Sequence, residues 1–222
     1  MRLIDLFCGA GGAAMGYYRA GFGEIVGVDI RPQPRYPFEC IQADAMTFPL
    51  AGFDAVHASP PCQGYSVMRN LPWLRDRVYP LLLEPTLERL AAQETPWVVE
   101  NVMGARRILH AGWLCGTMFG LPFPRHRLFG SSFFWLAPAH AKHGALLLDL
   151  PMGHATHRDI GRHRNPVHTR AGAALRHARG WRVAAELMGI DWMTRDELTQ
   201  AIPPAYTEYI GRHLLDAVRA GA

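Results

Sequence analysis

Several features are scarce in this sequence of 222 residues, and each scarcity excludes a class of protein. No run of 18 or more apolar residues is present, so a membrane span is not predicted. Met1 leads directly into a strand-like run, so no signal peptide is predicted either. The four cysteines include no CxxC pair, which argues against a disulfide framework and against a standard zinc site. We therefore expect reduced thiols and a cytoplasmic setting.

Acidic residues are scarce in one part of the chain only. Residues 1–120 carry 10 Arg against 11 Asp and Glu, whereas residues 121–182 carry 9 Arg and one Lys against 2 Asp. The basic stretch also contains 8 of the 11 histidines. Because Lys142 is the only lysine, coding bias accounts for the choice of arginine but not for the missing acids. A solvated basic face is one interpretation, and attraction of a phosphate backbone is the other.

The first half of the chain alternates short apolar runs with Gly and Pro, which predicts strands between helices. This alternation is typical of an α/β fold with a doubly wound, mostly parallel sheet and ligands at the carboxyl ends of the strands. Residues 137–180 show no sustained period and predict a small irregular lobe. The predicted strands are 2–7, 24–30, 40–44, 53–59, 97–102 and 125–136, and the predicted helices are 12–21, 79–94, 181–190 and 204–220.

A glycine-rich loop follows the first predicted strand in "DLFCGAGGAAMGYYRAGF". Gly9, Gly11 and Gly12 allow a sharp turn and a close backbone approach to a ligand at a helix N-terminus. Asp29, at the end of the second strand, is well placed for ribose hydroxyls. Asp44 could accept from an adenine amino group or simply cap a turn. A nucleotide-type cofactor is predicted, but the loop does not distinguish NAD from S-adenosylmethionine.

Three further stretches carry chemistry: "SPPCQGYS" ends the fourth strand, "VVENV" ends the fifth, and "RHRLF" begins the next one. On a parallel sheet, all three would face the same edge as the glycine loop. Together they would surround one cleft with a thiol, a carboxylate and guanidinium groups.

These blocks and their order resemble the DNA cytosine-5 methyltransferases. The cofactor block "DLFCGAGG", the blocks "PPCQGYS", "ENV" and "RHRLF", and the terminal "AIPPAYTEYIG" extend over residues 5–211. The pairing of "PCQ" with "ENV" is specific, and an NAD enzyme has no use for it. The resemblance implies a Rossmann-like class I methyltransferase fold, S-adenosyl-L-methionine as cofactor, S-adenosyl-L-homocysteine as its product, and double-stranded DNA as substrate.

The resemblance also implies a division of the chain. Residues 1–130 would be the catalytic and cofactor-binding domain, and residues 131–182 a small basic target-recognition region. Residues 183–222 would return to the catalytic domain. Because the recognition region is shorter than in most relatives, we expect a short or relaxed target sequence and an affinity that depends largely on phosphate contacts.

Residue roles follow from the same resemblance. Cys62 would add to C6 of a flipped cytosine, and Glu100 would hold a proton at N3. Arg127, supported by Arg125, would face O2. The complete catalytic set is Cys62, Glu100, Arg127, Arg125, Asn101 and Gln63. The cofactor set is Phe7, Gly9, Gly11, Gly12, Asp29, Ile30, Asp44 and Pro61. The DNA set is Ser66, Arg69, Arg158, Arg162, Arg164 and Arg170, and residues 64–77 correspond to the loop that closes over DNA.

The chain departs from the family at two points. Thr199 and Gln200 replace the usual terminal Gly-Asn pair, so the cofactor contact of that pair is not predicted here. The histidine pairs His140/His143 and His154/His157 suggest zinc, but they lack cysteine partners in sequence, so we predict no metal.

Two alternatives remain open from the sequence alone: an RNA cytosine-5 methyltransferase with the same blocks, and a non-catalytic nucleic-acid-binding relative. The short reader and arginine-rich coding suggest a phage or restriction-modification enzyme in a bacterial or phage-infected host. We expect a monomer.

Overall fold

The computed structural model describes residues 1–66, 76–121, 123–140 and 180–221. In these residues one seven-stranded sheet has the order β3-β2-β1-β4-β5-β7-β6. The strands are β1 (Arg2–Leu6), β2 (Glu24–Asp29), β3 (Glu39–Gln42), β4 (Ala55–Ala58), β5 (Trp97–Asn101), β6 (Gly112–Leu114) and β7 (Arg127–Ser131).

Helices cover both faces of this sheet. They are α1 (Gly12–Ala20), α2 (Leu83–Ala91), α3 (Gly180–Met188), α4 (Arg195–Gln200) and α5 (Pro204–Gly221), with 3-10 turns at Met103–Ala105 and Gly116–Phe119. In the described ranges, no helix has the length and apolarity to cross a membrane.

The five strands from β3 to β5 are parallel, and apolar layers cover them on both sides. β1 lies in the middle, and Leu3, Ile4 and Leu6 are fully buried because successive side chains point to opposite faces. The predicted Rossmann-like, mostly parallel α/β fold is therefore confirmed.

The expectation that "RHRLF" lies on a parallel strand is wrong. β7 runs antiparallel to β5, with Glu100 opposite Phe129 and Asn101 opposite Leu128. Because β7 runs antiparallel to β5, the first residues of β7 lie beside the last residues of β5. Arg127 therefore reaches the edge of the sheet at which Glu100 lies. A parallel β7 would have carried its first residues to the opposite edge.

Close backbone contact joins α1 to α5. The Oγ of Thr207 donates a hydrogen bond of 2.8 Å to the carbonyl of Ala13. A Cβ on Gly16 would lie 2.0 Å from Thr207 Oγ1 and 2.2 Å from the carbonyl oxygen of Pro204. The C-terminal helix is thereby fixed against the helix that follows the glycine loop.

Most predicted elements are present, with shifted ends. The helix predicted at 79–94 begins at Leu83, and Pro85 lies in its first turn, where no intrahelical N–H bond is lost. β6 and α4 were not predicted from the sequence because three strand residues and six helical residues give little periodicity. Most of the proposed recognition region, 131–182, lies outside the described residues.

Candidate active site

The carboxyl ends of β4 and β5 hold the Pro-Pro-Cys turn in place. The side-chain amide of Asn101 donates a hydrogen bond of 3.1 Å to the carbonyl of Pro60. After the turn, the backbone N–H groups of Tyr65 and Ser66 donate to the carbonyl of Cys62 at 3.1 and 3.0 Å. The thiol is therefore carried on a short loop whose two sides are both tied down.

Glu100 is buried at the end of β5, with 5% of its surface exposed. Arg127 Nε lies 2.9 Å from Glu100 Oε1. Within the described part of the chain, that oxygen accepts no well-formed hydrogen bond. Burial raises the pKa of the Glu100 carboxyl, and the charges of Arg127 and Arg125 oppose the rise. Burial therefore shifts this carboxyl toward its protonated form relative to an exposed glutamate, while the two arginines favour the carboxylate.

The Cys62 thiol is half-buried and belongs to the same electrostatic group. Burial raises its pKa most, and the negative charge of Glu100 raises it further. The positive charges of Arg127 and Arg125 lower it. When Glu100 takes up a proton, one of the effects that disfavour the thiolate is removed.

Arg125 is buried and connects the Cys62 and Glu100 site to the C-terminal segment. Its Nη2 donates to the carbonyl of Thr199 at 2.8 Å, and Tyr206 donates its hydroxyl to the Arg125 carbonyl at 2.5 Å. Burial, followed by the charge of Arg127, lowers the pKa of Arg125 to about 9. Among the described residues, its Nε has no hydrogen-bond partner.

The glycine loop adopts left-handed backbone conformations, with φ of 51° at Gly9 and 83° at Gly11, and also 57° at Phe7. A Cβ on Gly11 would lie 2.5 Å from Pro37 Cδ, so glycine is required sterically as well. Left-handed φ at a residue with a side chain is typical of functional loops.

Asp29 connects this loop to the end of β2. One carboxylate oxygen accepts from the Gly9 N–H at 3.0 Å, and the other accepts from the Arg31 N–H at 2.9 Å. The adjacent Ile30 exposes 68% of its surface beside this carboxylate. A carboxylate beside an open apolar ledge suits a ribose and an adenine ring, so the local residues fit an adenosine cofactor.

The C-terminal segment supports the loop from the other side. Trp192 Nε1 donates a hydrogen bond of 2.7 Å to the carbonyl of Ala10. A Cβ on Gly12 would lie 2.6 Å from the carbonyl oxygen of Ile202. Gly12 therefore allows the start of α1 to pack closely against the segment between α4 and α5.

Other predicted residues lie close to these groups with less specific contacts. Asp44 accepts from the Met46 N–H at 2.8 Å, which is the turn-capping role. Pro61 is half-buried beside Cys62, and Gln63 is exposed. Arg69, Arg158, Arg162, Arg164 and Arg170, and most of the predicted loop 64–77, lie outside the described residues.

Comparisons with known proteins point to one family. A family model of the C-5 cytosine-specific DNA methylases matches residues 1–107, which include the glycine loop, Cys62 and Glu100. The match covers 107 of the 222 residues, just under half of the chain. The Type II methyltransferase M1.HphI of Haemophilus parahaemolyticus is 35% identical over 80 residues, 29% of this chain and 22% of that protein, so the match spans about a fifth of the relative's length.

Solved methyltransferase structures share the fold of this chain. The S. pombe Dnmt2 methyltransferase superposes with a TM-score of 0.58 at 15% identity and covers 98% of this chain and 99% of its own. The Entamoeba histolytica methyltransferase EhMeth gives a TM-score of 0.55 at 14% identity, covering 98% of both chains.

The sequence did not predict two residues that hold parts of the candidate site in place. Trp192 fixes the glycine loop, and Tyr206 fixes the backbone of Arg125. Tyr206 lies in the terminal block "AIPPAYTEYIG", so a signal was present, but its partner is 81 residues away in sequence. The signal for Trp192 was only its indole N–H, which needs a partner when buried.

Proposed function

We propose that this protein methylates C5 of cytosine in DNA through a covalent adduct between Cys62 and C6 of a flipped base. The observation that carries the proposal is the meeting of a thiol, a buried carboxyl and two arginines at one sheet edge beside the glycine loop. Bound S-adenosyl-L-methionine would supply the methyl group, held by the Gly9–Gly11 loop and by Asp29.

The steps follow from what each side chain can do. The Cys62 thiolate forms a bond to C6, and the electron pair displaced from the C5–C6 bond makes C5 nucleophilic. Glu100, whose pKa burial raises, donates a hydrogen bond or proton at N3. Arg127 stabilises the charge that develops toward O2. After methylation, the C5 proton leaves as a base accepts it, the C5–C6 double bond re-forms and the bond to Cys62 breaks.

The charges around Cys62 explain why its thiol is protected before a substrate binds. Burial and Glu100 raise the pKa of Cys62, so the thiol is protected while the site is empty of substrate. When Glu100 is protonated and donates a hydrogen bond to N3 of a bound cytosine, its negative charge no longer opposes the thiolate, and the charges of the two arginines favour the thiolate. The thiolate then forms where its target lies.

A trap with 5-fluorocytosine tests the proposal. Fluorine replaces the C5 proton that must leave, so the adduct persists and shifts the protein on a denaturing gel. We expect an adduct with fluorinated duplex DNA in the presence of S-adenosyl-L-methionine. Cys62→Ser should abolish it, and Cys40→Ser, at another half-buried cysteine, should retain it.

Two results would contradict the proposal in different ways. An adduct with fluorinated RNA and none with DNA would make the protein an RNA enzyme. The absence of both adducts, together with no methylated cytosine by bisulfite sequencing of DNA from expressing cells, would make it a non-catalytic binder.

A further inference from the structure

Three side chains that can bind a metal meet beside the amino end of β7. Cys115 Sγ and one ring nitrogen each of His126 and His140 all lie within 4.8 Å of one another. Cys115 is buried and both histidines are half-buried. Together the three residues form what we call the Cys-His cluster, which the proposed methylation does not use.

The antiparallel pairing of β6 with β7 brings the first two members together. Trp113 is opposite Leu128, and Leu114 is opposite Arg127. Continuing this register by one residue places Cys115 opposite His126. Directly opposed residues in an antiparallel ladder have Cα atoms about 4.5 to 5.5 Å apart, which is within reach of a shared ion.

Aromatic packing brings in the third member. The Trp113 ring lies against the imidazoles of His126 and His140, with centroid distances of 5.1 and 4.7 Å. The two imidazoles lie 5.6 Å apart. His140 is thereby held against the strand pair although it follows β7 in sequence.

The donor set suits zinc. A thiolate with two imidazoles is a ligand combination that Zn²⁺ prefers over Mg²⁺ or Ca²⁺. Tetrahedral zinc with ordinary Zn–S and Zn–N bonds separates its ligand atoms by about 3.4 to 3.6 Å. Small side-chain rotations would bring the three atoms from within 4.8 Å to that spacing. Thr117 Oγ1, 3.3 Å from Cys115 Sγ, can orient the sulfur from outside the metal shell.

We propose that Cys115, His126 and His140 bind one zinc ion, with solvent water as the fourth ligand. The ion joins the end of β6, the residue before β7 and the segment that follows β7. His126 lies between Arg125 and Arg127, so the ion fixes the backbone that carries both arginines into the candidate active site. The existence of this ion does not depend on the proposed methylation.

Cobalt(II) substitution tests the site directly on the full-length protein after removal of any affinity tag. Cobalt bound by this set should give intense tetrahedral d–d bands and a thiolate-to-metal charge-transfer band. Elemental analysis after zinc loading and gel filtration should find about one zinc per chain. Zinc should also raise the melting temperature of the wild-type protein.

Variants identify the ligands. Cys115→Ser should remove the charge-transfer band, and His140→Asn should reduce bound zinc by about tenfold or more, as expected when a three-ligand site loses one. Cys40→Ser and the exposed-residue variant His110→Ala are the matched controls and should retain metal and spectrum.

Several outcomes would overturn the proposal. Gel-filtered wild-type protein without zinc, or a cobalt spectrum without a thiolate band, would do so irrespective of how the variants fold. An unchanged cobalt spectrum in Cys115→Ser would show that the metal binds elsewhere.

Discussion

Opposing charges act on Cys62. Glu100 raises the pKa of the thiol, and Arg127 and Arg125 lower it. Removing one charge at a time should therefore move thiol reactivity in opposite directions, and methyl transfer need not follow the same order. Measuring both quantities in each variant separates the effect of a charge on the reactivity of the thiol from its effect on methyl transfer.

The variant Glu100→Gln should make Cys62 react faster with iodoacetamide near neutral pH, by several-fold, because the thiol pKa falls when the negative charge is removed. Methyl transfer should fall by about a hundredfold or more, because an amide cannot supply a proton at N3. Mass spectrometry of the Cys62 peptide across pH measures reactivity, and transfer of labelled methyl groups to DNA measures activity. Slower alkylation would contradict the charge assignment.

For the variant Arg127→Gln we expect the opposite change in the reactivity of the Cys62 thiol. Without the positive charge, the Cys62 pKa should rise, and alkylation at neutral pH should slow by several-fold. Methyl transfer should also fall, since O2 loses its counter-charge. Arg212→Gln, on the exposed part of α5, is the control for arginine loss. Equal alkylation rates in Arg127→Gln and wild type would exclude contact between this charge and the thiol.

At the scale of elements, α1 and α5 approach each other where a side chain would not fit. Helix propensity alone favours alanine over Gly16 by about 1 kcal/mol. The clash of an added Cβ with Thr207 Oγ1 and the Pro204 carbonyl oxygen outweighs that preference, because the backbone of α5 would have to move to make room.

Gly16→Ala should therefore lower the free energy of unfolding by about 2 kcal/mol, as overpacked interior sites do. Urea denaturation followed by circular dichroism measures the change. Gly23→Ala is the matched control, since a Cβ there meets no atom of the described residues within 4 Å and should leave stability nearly unchanged. A stabilised Gly16→Ala protein would mean that the two helices lie further apart.

β1 and β4 carry a second titrating pair, Asp5 opposite His57. Burial raises the pKa of Asp5 to about 7 and lowers that of His57 to about 3. Folded Asp5 keeps a proton that the unfolded chain loses above its ordinary pKa of 3.8, so this term lowers stability as pH rises toward 7. Unfolded His57 binds a proton below 6.5 that the folded residue lacks, so its term raises stability as pH rises from 3.

Between about pH 4 and 6.5 the two terms should cancel. Asp5→Asn leaves the His57 term, so its stability relative to wild type should grow with pH on the order of 1 kcal/mol per pH unit. His57→Gln leaves the Asp5 term and should show the reverse slope. Urea denaturation at several pH values measures both, and parallel profiles for the two variants would refute the assignment.

For the whole molecule, charge is concentrated in residues 121–182, which have a net positive charge, whereas residues 1–120 are nearly neutral. If this region binds phosphates, DNA affinity should fall steeply as salt rises, because each neutralised phosphate releases counterions. Arg162 and Arg164, a predicted DNA-contacting pair, lie within it.

The double variant Arg162→Gln/Arg164→Gln should reduce the slope of log affinity against log salt by up to about 2. Fluorescence anisotropy with duplex DNA over a salt series measures the slope. Arg212→Gln/Arg219→Gln removes the same charge from α5 and should leave the slope unchanged. Equal effects of the two double variants would show that the basic stretch acts only through net charge.

Local sequence patterns were sufficient to predict the glycine loop, most of the strands and the blocks that carry the candidate site. Turn chemistry at Gly9 and Gly11 and the apolar strands β1, β2, β4 and β5 were readable because turn preference and side-chain alternation depend on neighbouring residues. The blocks around Cys62 and Glu100 indicated the family whose model matches residues 1–107.

Tertiary structure decided what depends on distant partners. The antiparallel direction of β7 brings Arg127 to Glu100, and no local pattern encodes strand direction. The prediction of no metal rested on histidine pairs without a nearby cysteine, whereas the sheet brings Cys115 beside His126 and His140. Sequence determines which side chains are available, but the register of the sheet decides which of them meet, because pairing depends on burial across the whole chain.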